Sequence, residues 1–167
     1  MDLAAIRQLV QSDLSATDQA IEACLYSDIP LIKNMGEHLV HSGGKRLRPL
    51  VVLLGAHAFG YKGKSHIELA AIIELIHAAT LLHDDVVDAS ELRRGQKTAN
   101  AIWGNPATVL VGDFLYSRAF QMMVRINNIR VLDILAGATN TIASGEILQL
   151  LNCKDPHTDE ARYMDVI

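Results

Sequence analysis

Cysteine, proline and aromatic residues are scarce in this chain of 167 residues, which has two cysteines, four prolines and 5% aromatic residues. Cys24 and Cys153 cannot form a disulfide framework, so we expect reduced thiols, as in cytoplasmic proteins. Hydrophobic residues make up 50% of the chain, and alanine, leucine and isoleucine dominate them. This composition favours packed helices, and no segment alternates strictly enough to predict a strand. The predicted fold class is therefore all-α.

Positive charge and long apolar runs are also limited. The 15 basic residues are outnumbered by 19 acidic residues, which gives a net charge of -4 and argues against nonspecific nucleic-acid binding. The N-terminal segment carries acidic residues and lacks the apolar core of a signal peptide. The most apolar stretch, residues 69–83, is shorter than a membrane span and contains Glu74 and His77. We therefore expect a soluble chain with no stable membrane span and no nucleic-acid partner.

Helical patterns separated by short polar breaks run along most of the chain. The first predicted helices cover residues 2–11, 16–24, 30–41 and 49–60, and Ser15 or Thr17 would cap the second. Ser65 would cap a long helix that reaches residue 88, a polar loop would cover residues 96–105, and later helices would cover 106–124, 129–137 and a segment ending near Asn152. The short breaks predict an antiparallel helical bundle.

Three aspartates, Asp84, Asp85 and Asp88, end the apolar run in the sequence DDVVD. In a helix these positions lie within about one third of the circumference. Three carboxylates that face one way repel one another unless a cation lies among them, and hard cations such as Mg²⁺ prefer carboxylate oxygens. For the triplet alone, a metal site and a solvated helix end are alternatives, and the acidic charge opposes the helix dipole at that end.

Basic residues that suit a diphosphate flank the aspartates in the sequence. GGKRLRP, residues 43–49, supplies Lys45, Arg46 and Arg48, and ELRRG supplies Arg93 and Arg94. Glycines let the backbone approach a phosphate, arginine binds it through two parallel hydrogen bonds, and lysine adds a point charge. GGKRLRP alone also fits a solvated basic turn, and it lacks the GxxxxGK[ST] spacing of a nucleotide-binding loop.

His77 lies seven residues before Asp84, close to two helical turns, on a stripe that includes Thr80 and Asp88. A lone histidine in a helix is more often a structural residue than a ligand. Sharing a stripe with the aspartates reverses that preference and predicts a binding role for His77. His83 points elsewhere and is predicted to be structural.

The motifs GGKRLRP, LLHDDVVD and ELRRG, together with VLVGDFLYSRAFQMM and GEILQLLN, resemble those of the trans-type polyprenyl diphosphate synthases. The resemblance covers nearly the whole chain and is strongest to the bacterial octaprenyl-forming members. It implies the all-helical bundle of the isoprenoid synthases and a magnesium-dependent prenyltransferase. Such an enzyme adds isopentenyl diphosphate units to an allylic diphosphate such as farnesyl diphosphate, and its long trans-polyprenyl product, here octaprenyl, supplies quinone side chains.

The resemblance also implies roles for individual residues. It assigns magnesium binding against the allylic diphosphate to Asp84, Asp85 and Asp88, and it has Arg93 grip the same diphosphate as it leaves. It assigns the diphosphate of isopentenyl diphosphate to Lys45, Arg48, His77 and Arg94. It places Gln149, in GEILQ, at a position that faces the allylic site. It also gives Ala79, and Ile76 one turn further back, the control of product length. The small side chain of Ala79 fits a long product.

The sequence departs from that family in one respect. The family carries a second aspartate-rich motif and a lysine-containing segment in its C-terminal half, and neither occurs here. Residues 1–167 are therefore predicted to be the N-terminal half of a single synthase domain, with an incomplete metal site and no activity by itself. Apolar helix faces predict a homodimer.

Two alternative functions are weighed against this prediction. The first is a non-catalytic or regulatory subunit of a heteromeric prenyl synthase, and the second is a class I terpene cyclase. The intact aspartates and basic residues argue against the first, because a subunit that has lost its activity need not keep them. GGKRLRP argues against the second, because a cyclase has no isopentenyl diphosphate to hold.

Overall fold

The computed structural model describes residues 2–41, 44–153 and 155–166, and the chain divides into two compact units, Met1–Ile126 and Asn127–Ile167. The helices of the first unit are α1 (Leu3–Gln8), α2 (Gln11–Leu25), α3 (Pro30–His41), α4 (Leu47–Ala58), α5 (Ser65–Val87), α6 (Ala99–Trp103) and α7 (Asn105–Ile126). The second unit contains α8 (Ile129–Asn152) and α9 (Glu160–Val166). The predicted all-α class is confirmed.

The apolar run in the sequence becomes α5, the central helix of the first unit. α5 packs chiefly against α7 and also against α2 and α4. Its buried residues are Ala70, Ala71, Ile72, Leu75, Ile76, Ala79, Leu82 and Asp85. With 23 residues, α5 is long and apolar enough to cross a membrane by length and composition alone, a property that the buried core helix of a soluble protein shares. Its core position explains why this helix carries so few charges.

Two predicted helix caps are wrong. α2 begins at Gln11, so Ser15 and Thr17 lie inside the helix. The Thr17 hydroxyl donates a hydrogen bond to the carbonyl of Asp13, four residues earlier, at 2.7 Å. Back-bonding of this kind satisfies a threonine within a helix. Ser65 is likewise the first helical residue of α5 and follows Lys64, which occupies the cap position without a side-chain hydrogen bond.

The prediction of no strand is also wrong, because a short antiparallel hairpin follows α5. Strand β1 (Leu92–Arg93) pairs with strand β2 (Gln96–Lys97), with Arg93 opposite Gln96. The predicted polar loop over residues 96–105 therefore contains β2 and α6. Two-residue strands are too short for alternation to reveal them.

Two predicted breaks between helices remain to be compared with the structure, one at Gly137 and one after α3. α8 runs without a break through Gly137, where the sequence predicted a boundary. A single glycine weakens a helix by only about 1 kcal/mol, so its neighbours can carry the helix through. The predicted break after α3 falls on Ser42 and Gly43, which lie outside the described residues.

Candidate active site

The three aspartates at the end of α5 do not all face the same way. α5 ends at Val87, and the backbone N–H of the capping residue Asp88 donates to the carbonyl of Asp84 at 2.8 Å. Asp88 is exposed, Asp84 is partly exposed and Asp85 is only 4% exposed. Residues four apart lie on one face of a helix. The carboxylates of Asp84 and Asp88 therefore share the outer face, and Asp85 faces the interior.

The buried carboxylate of Asp85 is paired with Arg93. The Nη2 of Arg93 donates to Asp85 Oδ1 at 2.8 Å, and its Nε lies 3.0 Å from Oδ1 and 3.2 Å from Oδ2. Hydrogen bonding to Asp85 raises the pKa of the Arg93 guanidinium above its ordinary value. A buried charge requires such a partner. Asp85 therefore fixes the guanidinium of Arg93 beside the two outward aspartates.

Asn100 holds the turn that connects α5 to the hairpin, a role that the sequence prediction missed. Its Nδ2 donates to the carbonyl of Asp85 at 3.1 Å and to the carbonyl of Ser90 at 3.0 Å. The backbone N–H of Ser90 also donates to the carbonyl of Asp85, at 2.9 Å. The only signal in the sequence was a single amide side chain in the short segment TANAIW.

Replacing Asn100 by alanine is expected to lower the free energy of unfolding by about 1 to 2 kcal/mol, because both carbonyls lose a donor. Trp103 is the single tryptophan and lies on the same short helix, α6. Its fluorescence during urea unfolding measures the loss directly. Asn34→Ala, at an exposed asparagine of α3, is the control and should change stability by less than about 0.5 kcal/mol. Equal stability of the two variants would contradict the anchoring role.

The hairpin turn directs Arg93 and Arg94 to different places. Its two central residues, Arg94 and Gly95, have φ values of 53° and 80°, as the type I′ turn of a two-residue hairpin requires. Glycine adopts this conformation without strain, and arginine rarely does. Arg93 points back to Asp85, while Nη1 of Arg94 lies so close to Gly44 that a Cβ on that glycine would be 3.3 Å away. Gly44 therefore leaves room for the Arg94 guanidinium.

A basic pocket of about 430 Å³ lies beside Gly44. Its lining residues are Gly44, Lys45, Arg46, Leu47, Arg48, Glu74, His77 and Arg94. It thus brings together Lys45, Arg48, His77 and Arg94, the four residues predicted to hold one diphosphate.

His77 differs in charge from the other polar groups of this pocket. Burial lowers the pKa of its imidazole below the ordinary value, and the positive charge of nearby Arg48 lowers it further. The side chain is therefore a neutral imidazole at neutral pH, able to donate one hydrogen bond. The hydroxyl of Thr80, predicted on the same stripe, donates to the carbonyl of His77 at 2.9 Å.

Arg46 serves the structure of the basic loop, although the sequence grouped it with the phosphate binders. Its Nη1 donates to Oε1 of Glu74 at 2.7 Å, and its Nε lies 3.3 Å from Oδ1 of Asp18. Arg7 also reaches the loop and donates to the carbonyl of Lys45. The isolated charge of Glu74 in an apolar run was the signal for this network, because a charge there needs a partner.

The residues predicted to set product length lie in the core of the first unit. Ala79 is fully buried and Ile76 nearly so. An apolar pocket next to the basic one is lined by the neighbouring α5 residues Leu75, Ala78 and Leu82, and it also reaches Asp85 and Arg93. Gln149 belongs to the second unit, where it is exposed on α8.

His83 has the structural surroundings that the sequence predicted. Its Nε2 lies 3.2 Å from the carbonyl of Val109, and its ring stacks on Tyr116 with centroids 6.3 Å apart. Burial raises the pKa of the Tyr116 hydroxyl, and the negative charge of Asp84 raises it further. Tyr116 therefore presents a protonated phenol toward the aspartate end of α5.

Comparison with known proteins tests the resemblance that the motifs suggested. A family model described as "Polyprenyl synthetase" matches residues 29–167. The chain belongs to this family. It is 52% identical over 167 residues to octaprenyl diphosphate synthase of Escherichia coli (strain K12), covering 100% of this chain and 52% of that protein.

Other members of the polyprenyl synthetase family agree. An all-trans-nonaprenyl-diphosphate synthase (geranyl-diphosphate specific) of Rhodobacter capsulatus is 47% identical over 159 residues, covering 95% of this chain and 49% of that protein. The crystal structure of a polyprenyl synthase from Caulobacter crescentus CB15, complexed with calcium and isoprenyl diphosphate, matches with a TM-score of 0.96 and 44% identity. That match covers 99% of this chain and 51% of the other. The chain thus spans about half the length of these relatives.

Proposed function

We propose that this chain is the N-terminal half of a long-chain trans-polyprenyl diphosphate synthase, which transfers an allylic prenyl group to isopentenyl diphosphate. One observation carries the proposal. A basic pocket lined by Lys45, Arg48, His77 and Arg94 lies near the end of the helix that presents the carboxylates of Asp84 and Asp88. A synthase needs two diphosphate sites side by side, and the pocket and the aspartates supply one each.

Asp84 and Asp88 suit a magnesium ion. Both carboxylates are accessible and lie one helical turn apart, and hard cations accept carboxylate oxygens while keeping several waters. Bound there, Mg²⁺ would supply positive charge to the diphosphate that leaves the allylic carbon. Asp85 was predicted as a third ligand, but both of its oxygens accept hydrogen bonds from Arg93. We therefore assign Asp85 the positioning of Arg93, whose guanidinium binds the same diphosphate.

The hairpin gives the two diphosphates neighbouring arginines. Arg93 serves the allylic diphosphate, and Arg94, the first central residue of the turn, serves isopentenyl diphosphate in the basic pocket. Lys45 and Arg48 add charge there, and His77, which is neutral in the free chain, donates a hydrogen bond to a phosphate oxygen. We also propose that Gln149 faces the allylic site, as the family resemblance implies.

The wider proposal follows the family. A small residue at Ala79 suits a long product, for which we propose octaprenyl diphosphate destined for quinone side chains. We also propose a cytoplasmic homodimer. Large apolar side chains exposed on α8, among them Ile142, Ile147 and Leu151, are consistent with burial by further chain or by a second subunit.

A chimera tests the proposed function. Residues 1–167 would precede the C-terminal half of the Escherichia coli octaprenyl diphosphate synthase, and the purified protein would receive Mg²⁺, labelled isopentenyl diphosphate and farnesyl diphosphate. We expect magnesium-dependent labelling of long polyprenyl diphosphates. A folded chimera without elongation, beside an active Escherichia coli parent, would refute the proposal. Hydrocarbon formation from farnesyl diphosphate alone would favour a cyclase, and activity only after a further subunit is added would favour the regulatory alternative.

Pyrophosphate binding to this chain is expected to strengthen as the pH falls from 7.5 towards 6. His77 is neutral in the free chain because burial lowers its pKa, and a diphosphate anion beside it favours the charged imidazole. Binding therefore takes up a proton and gains affinity as the pH approaches the lowered pKa of the free chain. His77 contributes at most about tenfold in affinity per pH unit.

Pyrophosphate itself changes protonation between pH 7.5 and 6. Proton uptake on binding is therefore compared between the parent chain and its variants. Calorimetry in buffers of different ionisation enthalpy would count the protons bound by the parent and by His77→Gln. The variant should take up fewer protons and show a shallower pH dependence. His157→Gln, at an exposed histidine of the second unit, should behave like the parent. Identical proton uptake by all three proteins would remove His77 from the diphosphate site.

Product length is expected to fall step by step when the chimera carries Ala79→Val, Ala79→Leu or Ala79→Tyr, with the shortest product from the tyrosine variant. Position 79 precedes Asp84 by five residues, about 7.5 Å along the helix, so a larger side chain there would stop the growing tail early. Chromatography of the dephosphorylated products measures the length. Overpacking a buried position costs about 1 to 3 kcal/mol, so circular dichroism is used to check that each variant folds. An unchanged product from folded variants would show that Ala79 does not line the path of the tail.

A further inference from the structure

Two histidines and an aspartate meet at the opposite end of α5 from the candidate active site. Asp13 lies in the first turn of α2, His57 in the last turn of α4, and His66 at the second position of α5. His66 precedes Asp84 by 18 residues, which corresponds to about 27 Å along the helix. The cluster is therefore separate from the proposed diphosphate and magnesium sites.

The three side chains converge on one point. Oδ2 of Asp13 lies 2.7 Å from Nε2 of His57 and 3.1 Å from Nε2 of His66. The three ligand atoms all lie within 4.8 Å of one another. Both imidazoles thus present the same ring nitrogen to the same carboxylate oxygen, so a single ion placed between them would contact all three residues.

The donor set selects the type of ion. Imidazole nitrogen and carboxylate oxygen suit borderline divalent metals such as Zn²⁺, whereas Mg²⁺ and Ca²⁺ prefer oxygen ligands alone. Zinc takes these donors at about 2.0 to 2.2 Å, which separates neighbouring donors in a tetrahedron by roughly 3.3 Å. Both observed oxygen-to-nitrogen separations, 2.7 and 3.1 Å, lie below that value, so the ligands would move slightly apart around the ion. Only small side-chain rotations are needed, and the His57 side chain, 49% exposed, is free of close confinement.

The geometry points to a zinc-type metal site formed by Asp13, His57 and His66, with water completing the coordination. The metal would cross-link α2, α4 and α5, which pack against one another in the first unit. His66 is 12% exposed and Asp13 is 20% exposed, so two ligands are held in place by the surrounding structure. The site would act as a structural clamp, because no residue of the proposed catalytic machinery belongs to it.

Zinc titration of the 167-residue chain tests this site. A Cys153→Ser background removes the exposed thiol, and excess Mg²⁺ occupies oxygen-rich sites. We expect one equivalent of Zn²⁺ to bind, to raise the unfolding temperature and to shift the imidazole nitrogen resonances of His57 and His66 in long-range ¹H–¹⁵N spectra. Mg²⁺ alone should shift neither histidine.

Variants identify the ligands. Asp13→Asn, His57→Gln and His66→Gln should each weaken zinc binding by about 100-fold or more, since changes outside the ligand set already cost about 10- to 100-fold. His157→Gln should bind zinc like the background protein. His57→Gln is the decisive variant, because its exposed position leaves folding intact, which Trp103 fluorescence would verify. Unchanged zinc affinity in His57→Gln, or a zinc titration that leaves His57 and His66 unshifted, would overturn the site and leave a hydrogen-bonded triad.

Discussion

Asp84→Asn in the chimera with the Escherichia coli C-terminal half is expected to lower kcat by about 100-fold or more. The substitution keeps the size of the side chain and removes one of the two outward carboxylates at the end of α5. Loss of a single preorganised electrostatic group typically costs about 100- to 1,000-fold in rate. Rapid-quench measurement of the first turnover at several Mg²⁺ concentrations would separate lost metal affinity from lost catalysis.

Folding should be nearly unaffected by Asp84→Asn. Asp84 is partly exposed beside two other carboxylates at a helix C-terminus, where negative charge is unfavourable. Glu91→Gln is the matched control, because Glu91 is an exposed acidic residue three positions beyond Asp88. It should retain full activity. If Asp84→Asn keeps its kcat, or loses activity only in proportion to unfolded protein, Asp84 is not part of the catalytic site.

Residues 1–167 alone are expected to form no polyprenyl product above background. The basic pocket and the aspartates supply charge from one side, and ionisation of the allylic bond needs negative charge neutralised from more than one side. Loss of a whole facing set of groups should cost far more than the loss of one group. The assay combines the chain with Mg²⁺, labelled isopentenyl diphosphate and farnesyl diphosphate, followed by lipid extraction.

The separately produced Escherichia coli C-terminal half provides the control for this assay. Adding it to the chain should restore elongation if the two halves associate, and the covalent chimera provides the positive reference. Magnesium-dependent formation of long polyprenyl products by the chain alone would reject the prediction. That result would mean that residues 1–167 hold a complete site, or that a homo-oligomer completes it.

Sequence patterns were sufficient wherever the cause was local. A composition dominated by alanine, leucine and isoleucine predicted the helical class. The end of α5 was predicted correctly because three aspartates terminate an apolar run, and Pro30 correctly marked the start of α3. The family resemblance, not residue chemistry alone, grouped Lys45, Arg48, His77 and Arg94, and the structure places all four around one pocket. The hairpin was missed because two-residue strands leave no periodic signal.

The sequence by itself determined which residue types end α5 and which basic motifs accompany them, because helix period and side-chain chemistry are properties of short segments. Only the tertiary structure decided which charged side chains are buried and which partner each of them binds. Helix period fixes the angles between Asp84, Asp85 and Asp88, but packing against neighbouring elements decides which of them is buried. The pairing of Arg93 with Asp85 and that of Arg46 with Glu74 therefore had to be read from the fold. The cluster of Asp13, His57 and His66 was equally hidden, since its members come from three helices and meet only when those helices pack.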